Sequence, residues 1–153
     1  MKAIGLIGGM SWESSAEYYR IINETMNQKL GGYHSARIIL YNLDFDEVFK
    51  LQHNEKWLEA ANVIAKATVN LEKAGADCIL ICSNTGNEGA DRIAARIKVP
   101  LLHIADVTAT EVIAQGLKNV ALLGTRFAME KEYHRGQELT MSQLGLSLGE
   151  LEG

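Results

Sequence analysis

The chain of 153 residues is 47% hydrophobic and 22% charged, the balance of an ordinary soluble domain with apolar mass enough for one core. Its 15 Lys and Arg stand against 19 Asp and Glu, a formal charge of -4 with no basic run, which argues against a nucleic-acid binder. No apolar stretch reaches the roughly 18–20 residues of a membrane span, and Met1 and Lys2 lead into a strand pattern rather than a signal peptide, so a cytoplasmic location is expected.

Residues 2–7 (KAIGLI) read as a buried strand closed by the turn-forming pair Gly8 and Gly9. Over 11–30, apolar Ala16, Tyr19, Ile22, Met26 and Leu30 recur every three or four positions and Gly31-Gly32 follows, which predicts an amphipathic helix. Residues 37–43 (RIILYNL) read as a strand, 57–74 as a long Ala-rich helix stopped by Gly75, and 77–82 (DCILIC) as a buried strand. A helix at 87–98, a strand at 100–104 headed by Pro100, a helix at 107–117, a strand at 119–123 and a helix at 127–144 complete the alternation. Five apolar strands alternating with helices predict an α/β fold, a parallel sheet flanked by helices on both faces. The tail 144–153 (LGLSLGELEG) fits no strand of the pattern.

Ligands of such sheets bind beyond the carboxyl ends of the strands, which points to residues 8–13, 42–46, 82–87, 105–108 and 124–127. The loop Gly8-Gly9-Met10-Ser11 opens a helix, and its glycines serve either an anion on free backbone amides or merely a tight turn. It matches neither the dinucleotide glycine pattern nor a P-loop, so a nucleotide is disfavoured. In Cys82-Ser83-Asn84-Thr85 a thiol ends a buried strand ahead of residues suited to capping a helix. Helix-dipole stabilisation there would lower its pKa from the free value of about 8.5, and Asn84 and Thr85 offer donors to a carboxylate. The alternative is that Cys82 is a small buried hydrophobe and Asn84 a cap. Cys78 lies inside the strand and reads as structural. Two cysteines make no disulfide framework, and no metal site is expected because His34, His53, His103 and His134 keep no metal-ligand spacing. His103, near a strand end, is a further site-lining candidate, while Trp12 and Trp57 read as packing residues.

Residues 5–14 (GLIGGMSWES), 17–19 (EYY), 51–53 (LQH), 82–85 (CSNT), 102–106 (LHIAD) and 123–127 (LGTRF) together resemble the aspartate/glutamate racemase family over about residues 1–135, in order and at family-like spacing. The resemblance implies a cofactor-independent racemase of two similar flavodoxin-like or Rossmann-like three-layer lobes, with the site in the cleft between them. One cysteine of each lobe works on opposite faces of the substrate, one thiolate removing the α-proton and the other thiol returning one. By that resemblance Cys82 is the first of the pair, Asn84 and Thr85 hold the substrate carboxylate, and Met10 and Ser11 line the facing wall. The implied ligand is an acidic amino acid or dicarboxylate, with no cofactor, no nucleic acid and no membrane. The implied organisation is a first lobe at 1–100 and the incomplete start of a second at 101–153, the second cysteine lying in the part of the family pattern not matched here. Apolar surface beside an incomplete lobe predicts a homodimer or a segment-exchanged assembly. Gly86-Asn87 stands where the family motif continues Met-His. Two other readings are a carboxylate-binding module without turnover and a one-thiol relative such as a decarboxylase.

Overall fold

In the computed structural model, which describes residues 1–121 and 147–149, the run AIGLIG forms β1 (Ala3–Gly8) in the middle of a parallel sheet. β2 (Arg37–Asn42) lies on one side of it and β3 (Cys78–Ile81) on the other, with β4 (Leu101–Leu102) beyond β3. The order is therefore β2-β1-β3-β4, and the register sets Ile7 between Tyr41 and Ile81. From β1 the chain steps to one neighbour through α1 (Trp12–Leu30), then crosses back to the other through α2 (Phe45–His53) and α3 (Trp57–Lys73). Because parallel crossovers are right-handed, reversing the direction of travel places α1 and α3 on opposite faces of the sheet.

The α3 face is the apolar core. Ala60, Ile64, Ala67 and Leu71 recur at helical spacing on the buried side of α3, and Ile7, Ile79 and Ile81 meet them from the sheet. Each fully buried Ile or Leu there contributes about 1.5–3 kcal/mol relative to exposure. Glu72, in the last turn of α3, accepts from the amides of Lys98 (2.6 Å) and Val99 (3.1 Å), which steers the chain into β4.

The α1 face is different. Its sheet-facing residues are Ser14, Ser15, Tyr18 and Ile22, with Ser11 as N-cap, whereas Ala16 is exposed and Tyr19 and Leu30 are about half exposed. The apolar stripe expected through Ala16 and Tyr19 is thus rotated away from the sheet. Its phase is fixed by Ser15, whose hydroxyl accepts from Gly9 N (3.0 Å) and sits where a Cβ on Gly8 would come within 2.7 Å. No side chain larger than serine's fits so close a contact. Trp12, expected to pack, is 65% exposed in the first turn.

The chain divides into two compact units, Met1–Leu102 and His103–Gly153. The second contains α5 (Ile104–Ala114) and a two-stranded parallel sheet of β5 (Asn119–Ala121) and β6 (Ser147–Gly149), with Val120 opposite Leu148.

The architecture is the expected α/β class, with several local corrections. The five strands do not share one sheet: β5 pairs with β6, from the tail segment that fitted no strand pattern. α2 was not anticipated, and its start is fixed by Asp44, whose side chain accepts from Asp46 N at 3.2 Å. The helix expected over 87–98 shrinks to one 3-10 turn, Thr85–Asn87, and α4 (Ala90–Ala94), because Gly89 between them takes a left-handed conformation. The strand expected at 100–104 ends at Leu102 because His103 begins α5, its Nδ1 accepting from Ala105 N at 3.3 Å. The helix expected at 127–144 lies outside the described residues.

Gly9 has φ +90°, and a Cβ there would lie 2.1 Å from the Leu43 carbonyl oxygen. That backbone cannot retreat, since Leu43 N donates to Gly8 O at 3.0 Å. Gly9→Ala is expected to cost about 3 kcal/mol or more in urea denaturation. A variant with the parent's midpoint would contradict this packing.

Candidate active site

The strand order reverses at the β1/β3 pair, and the carboxyl ends of such a pair are where ligands of open α/β sheets bind. Cys82 is the first residue beyond β3, and its amide donates to Ile7 O at 2.9 Å, extending the ladder by one bond. Alternation along the strand puts Cys78, Leu80 and Cys82 on the α1 side and the core residues Ile79 and Ile81 on the other. Cys82 is fully buried and Cys78 half-buried.

From the β1 side, Met10 and Ser11 come to the same place. The Met10–Ser11 peptide is cis, Ser11 stands at the N-cap position of α1 without a side-chain cap bond, and the Ser14 hydroxyl donates to Cys82 O at 2.6 Å, with Ser11 O at 3.1 Å. Met10 is nearly buried, and its ε-methyl lies 3.1 Å from the point a Cβ on Gly86 would occupy. A Cβ at position 86 would also come within 3.0 Å of Ile81 Cγ2 and 3.2 Å of Ser83 Cβ, a close fit for any residue but glycine. Ser14 thus joins the Cys82 carbonyl to the helix start that Met10 and Ser11 lead into.

Asn84 and Thr85 lie on the 3-10 turn that follows. Asn84 is exposed and Thr85 half-buried, and neither side chain is engaged in a hydrogen bond among the described residues. Asn84 does not act as a side-chain cap. That work falls to Ser83, whose Oγ accepts from Gly86 N at 3.2 Å. His103 caps α5 in the second unit. Residues 124–127 lie outside the described residues.

The electrostatics reverse the expectation for the thiol. With a single 3-10 turn after Cys82, and with α4 starting only at Ala90, the segment that follows the thiol supplies no long aligned helix. Burial alone pushes Cys82 up from 9.0 to about 12. Tyr18, one turn beyond Ser14 on α1, is raised by burial and then by the nearby Cys82 charge. Cys78 is raised by burial and by Asp77, against a smaller opposite effect of Lys2.

Sequence reasoning missed three residues here. Ser14 and Tyr18 were hidden because polar residues on a helix read as its solvated side. The available signal was their spacing: positions 11, 14, 15 and 18 form one face starting at the N-cap. Asn87 is almost wholly buried, with Nδ2 donating to Ser83 O at 2.6 Å and Oδ1 lacking a partner among the described residues. A buried acceptor beside the thiol turn is suited to a donor group on a ligand. Among the described residues no group of three or more His, Cys, Asp or Glu is placed to hold a metal, and no helix is long and apolar enough to cross a membrane.

The model of the Asp/Glu/Hydantoin racemase family matches residues 7–143 of this chain. A Yersinia pestis protein provisionally assigned as an Asp/Glu racemase is 46% identical, with a TM-score of 0.90 over 97% of this chain and 64% of its own. An aspartate racemase homologue from Pyrococcus horikoshii is 32% identical, with a TM-score of 0.85 over 99% of this chain and 65% of its own. The aspartate racemase of Picrophilus torridus, 23% identical, shares the fold with a TM-score of 0.78. The chain spans just under two thirds of the length of these relatives.

Burial of the Cys82 thiol has a consequence for stability. A folded-state pKa of about 12 against an ordinary 9.0 means that the unfolded chain releases this proton first. The contribution is intact below pH 9.0 and is lost as the pH rises from there through about 12. The urea midpoint of the parent should therefore fall more steeply over that interval than that of Cys82→Ala. Parallel pH profiles would show that the thiol is not held in a desolvated environment.

Proposed function

The chain belongs to the Asp/Glu/Hydantoin racemase family, and on that premise we propose that it carries the Cys82 half of a cofactor-independent proton-transfer site for an acidic amino acid. The observation that carries the proposal is a buried thiol at the carboxyl end of β3, held at the strand-order reversal against the start of α1. In this reading the Cys82 thiolate takes the α-proton, so that the Cα–H bond breaks, an S–H bond forms and the electron pair stays on the substrate as a carbanion. The α-carboxylate is received by Asn84 and Thr85, and Met10 and Ser11 form the wall across from them.

A desolvated thiolate is a strong base, which suits a carbon acid, but it is scarce at neutral pH. The substrate's α-ammonium group, brought close, offsets that scarcity by stabilising the anion.

A second reading, an exchange or binding site without inversion, is favoured by the position of the other cysteine. Cys78 lies four strand residues before Cys82 on the same side of the sheet, about 13 Å away along the strand. The two thiols cannot flank one substrate carbon. Inversion therefore requires a second acid that is not Cys78.

The test is proton NMR of D- and L-aspartate and D- and L-glutamate in heavy water, with chirality followed separately. The parent is expected to exchange the α-proton of at least one of the four, and Cys82→Ala to lose about 100-fold or more of that rate. Equal rates in the two proteins would overturn the role of Cys82. Exchange of one enantiomer without inversion would select the one-thiol reading. No exchange, with a melting point still raised by a dicarboxylate, would leave a binding module.

A further inference from the structure

We infer that Ser14 is the positioning residue of the Cys82 thiol: its hydroxyl bonds the Cys82 carbonyl to the start of α1 and thereby fixes where the sulfur sits relative to the Met10–Ser11 wall. The inference rests on the proposed role of Cys82 and adds to it the group that aims the thiol.

The argument begins with one proton and two acceptors. Ser14 Oγ lies 2.6 Å from Cys82 O and 3.1 Å from Ser11 O. Ser11 O already receives the Ser15 hydroxyl at 3.0 Å, the usual back-bond of a helical serine. The Ser14 proton therefore goes to Cys82, at the shorter distance. That carbonyl lies past the end of β3, where the ladder to β1 has run out, so a side chain must supply its donor.

The same contact places Cys82 between two fixed points. Its amide is held by Ile7 O at 2.9 Å and its carbonyl by Ser14 Oγ, so both peptide planes that flank the Cα are tied and the direction of the Cα–Cβ bond is set. Without the Ser14 bond only the amide side of Cys82 is held directly; the Cα–Cβ direction then depends on φ, restrained on the far side only through Ser83, which accepts from Gly86 N and Asn87 Nδ2. On the helix, Ser14 occupies the turn between Ser11 and Tyr18, so one α1 face carries the N-cap residue, the clamp on Cys82 and a phenol whose ionisation senses the thiol. Tyr18 is a titratable group that senses Cys82, its own ionisation raised first by burial and then by the thiolate charge.

The experiment is carried out on the full chain with Cys78→Ala as background, so that mass labelling by iodoacetamide reports Cys82 alone. Ser14→Ala, Ser14→Thr and Ser14→Val are compared, Thr and Val having the same shape and differing in the hydroxyl. Rates are read from pH 7 to pH 9, alongside urea denaturation of each variant. Loss of the clamp admits water to the sulfur, lowers its pKa toward 9.0 and raises labelling at fixed pH about tenfold, the equivalent of one pH unit. The same loss misdirects the base, so α-proton exchange should fall about tenfold in kcat with KM unchanged. Ser14→Thr is expected to keep the parent profile while Ala and Val lose it. If Ser14→Ala does not fold, the Thr and Val pair decides alone.

Identical labelling profiles for Thr and Val would overturn the inference, as would an acceleration no larger than the measured loss of global stability accounts for. These outcomes are independent of turnover. A chain that exchanges no α-proton removes the proposed function, whereas the labelling comparison still decides whether Ser14 aims the thiol.

Discussion

The pairing of β1 with β3 is the constraint on which the rest depends. It is a long-range contact between parallel strands, and it sets the loop after Gly8 beside the residue after Ile81. Parallel strands end at the same edge of the sheet, so both loops emerge on the same side. The neighbouring strands are reached by crossovers that travel in opposite directions, so nothing in the sheet fills the space between the two loops. Every further contact at the site follows from that edge: the Cys82 amide on Ile7, the Ser14 hydroxyl on the Cys82 carbonyl, and Met10 beneath Gly86.

The two faces of the sheet do different work. The α3 face is closed by Ala, Ile and Leu at helical spacing and provides most of the apolar burial. That leaves the α1 face free to carry serines and a tyrosine toward the sheet without loss of the fold. The buried hydroxyls are matched to backbone groups that the loop and strand ends leave without ladder partners, so their desolvation is offset bond by bond. Such a face would be a poor choice for a purely structural helix. Beside a desolvated thiol it provides short, rigid, polar side chains that hold the loop backbone in place.

Burial decides the state of that thiol. A helix dipole acts only through aligned peptides over more than one turn, and the chain after Cys82 makes a single 3-10 turn before Gly89 breaks it. Desolvation, which needs only the surrounding apolar and backbone atoms, is the cause that raises the pKa. The free chain thus holds Cys82 as a thiol at neutral pH.

The sequence by itself determined what depends on local pattern. The apolar runs of β1 and β3, the spacing along α3, the glycine loop and the cysteine at a strand end were all legible, because period and turn chemistry act over a few residues. The α/β class followed from their alternation, and the loops carrying Cys82, Met10 and Ser11 were marked by their place at strand ends, while the roles of those residues came from the family resemblance. The tertiary structure decided what depends on distant partners. The rotation of α1 was set by the fit of Ser15 under Gly8, and the pairing of β6 with β5 needed a partner many residues away. Ser14 became the clamp only once β3 lay beside β1. Whether the thiol lies at a helix dipole or in a desolvated pocket is a matter of three-dimensional packing, to which hydrophobic periodicity is blind.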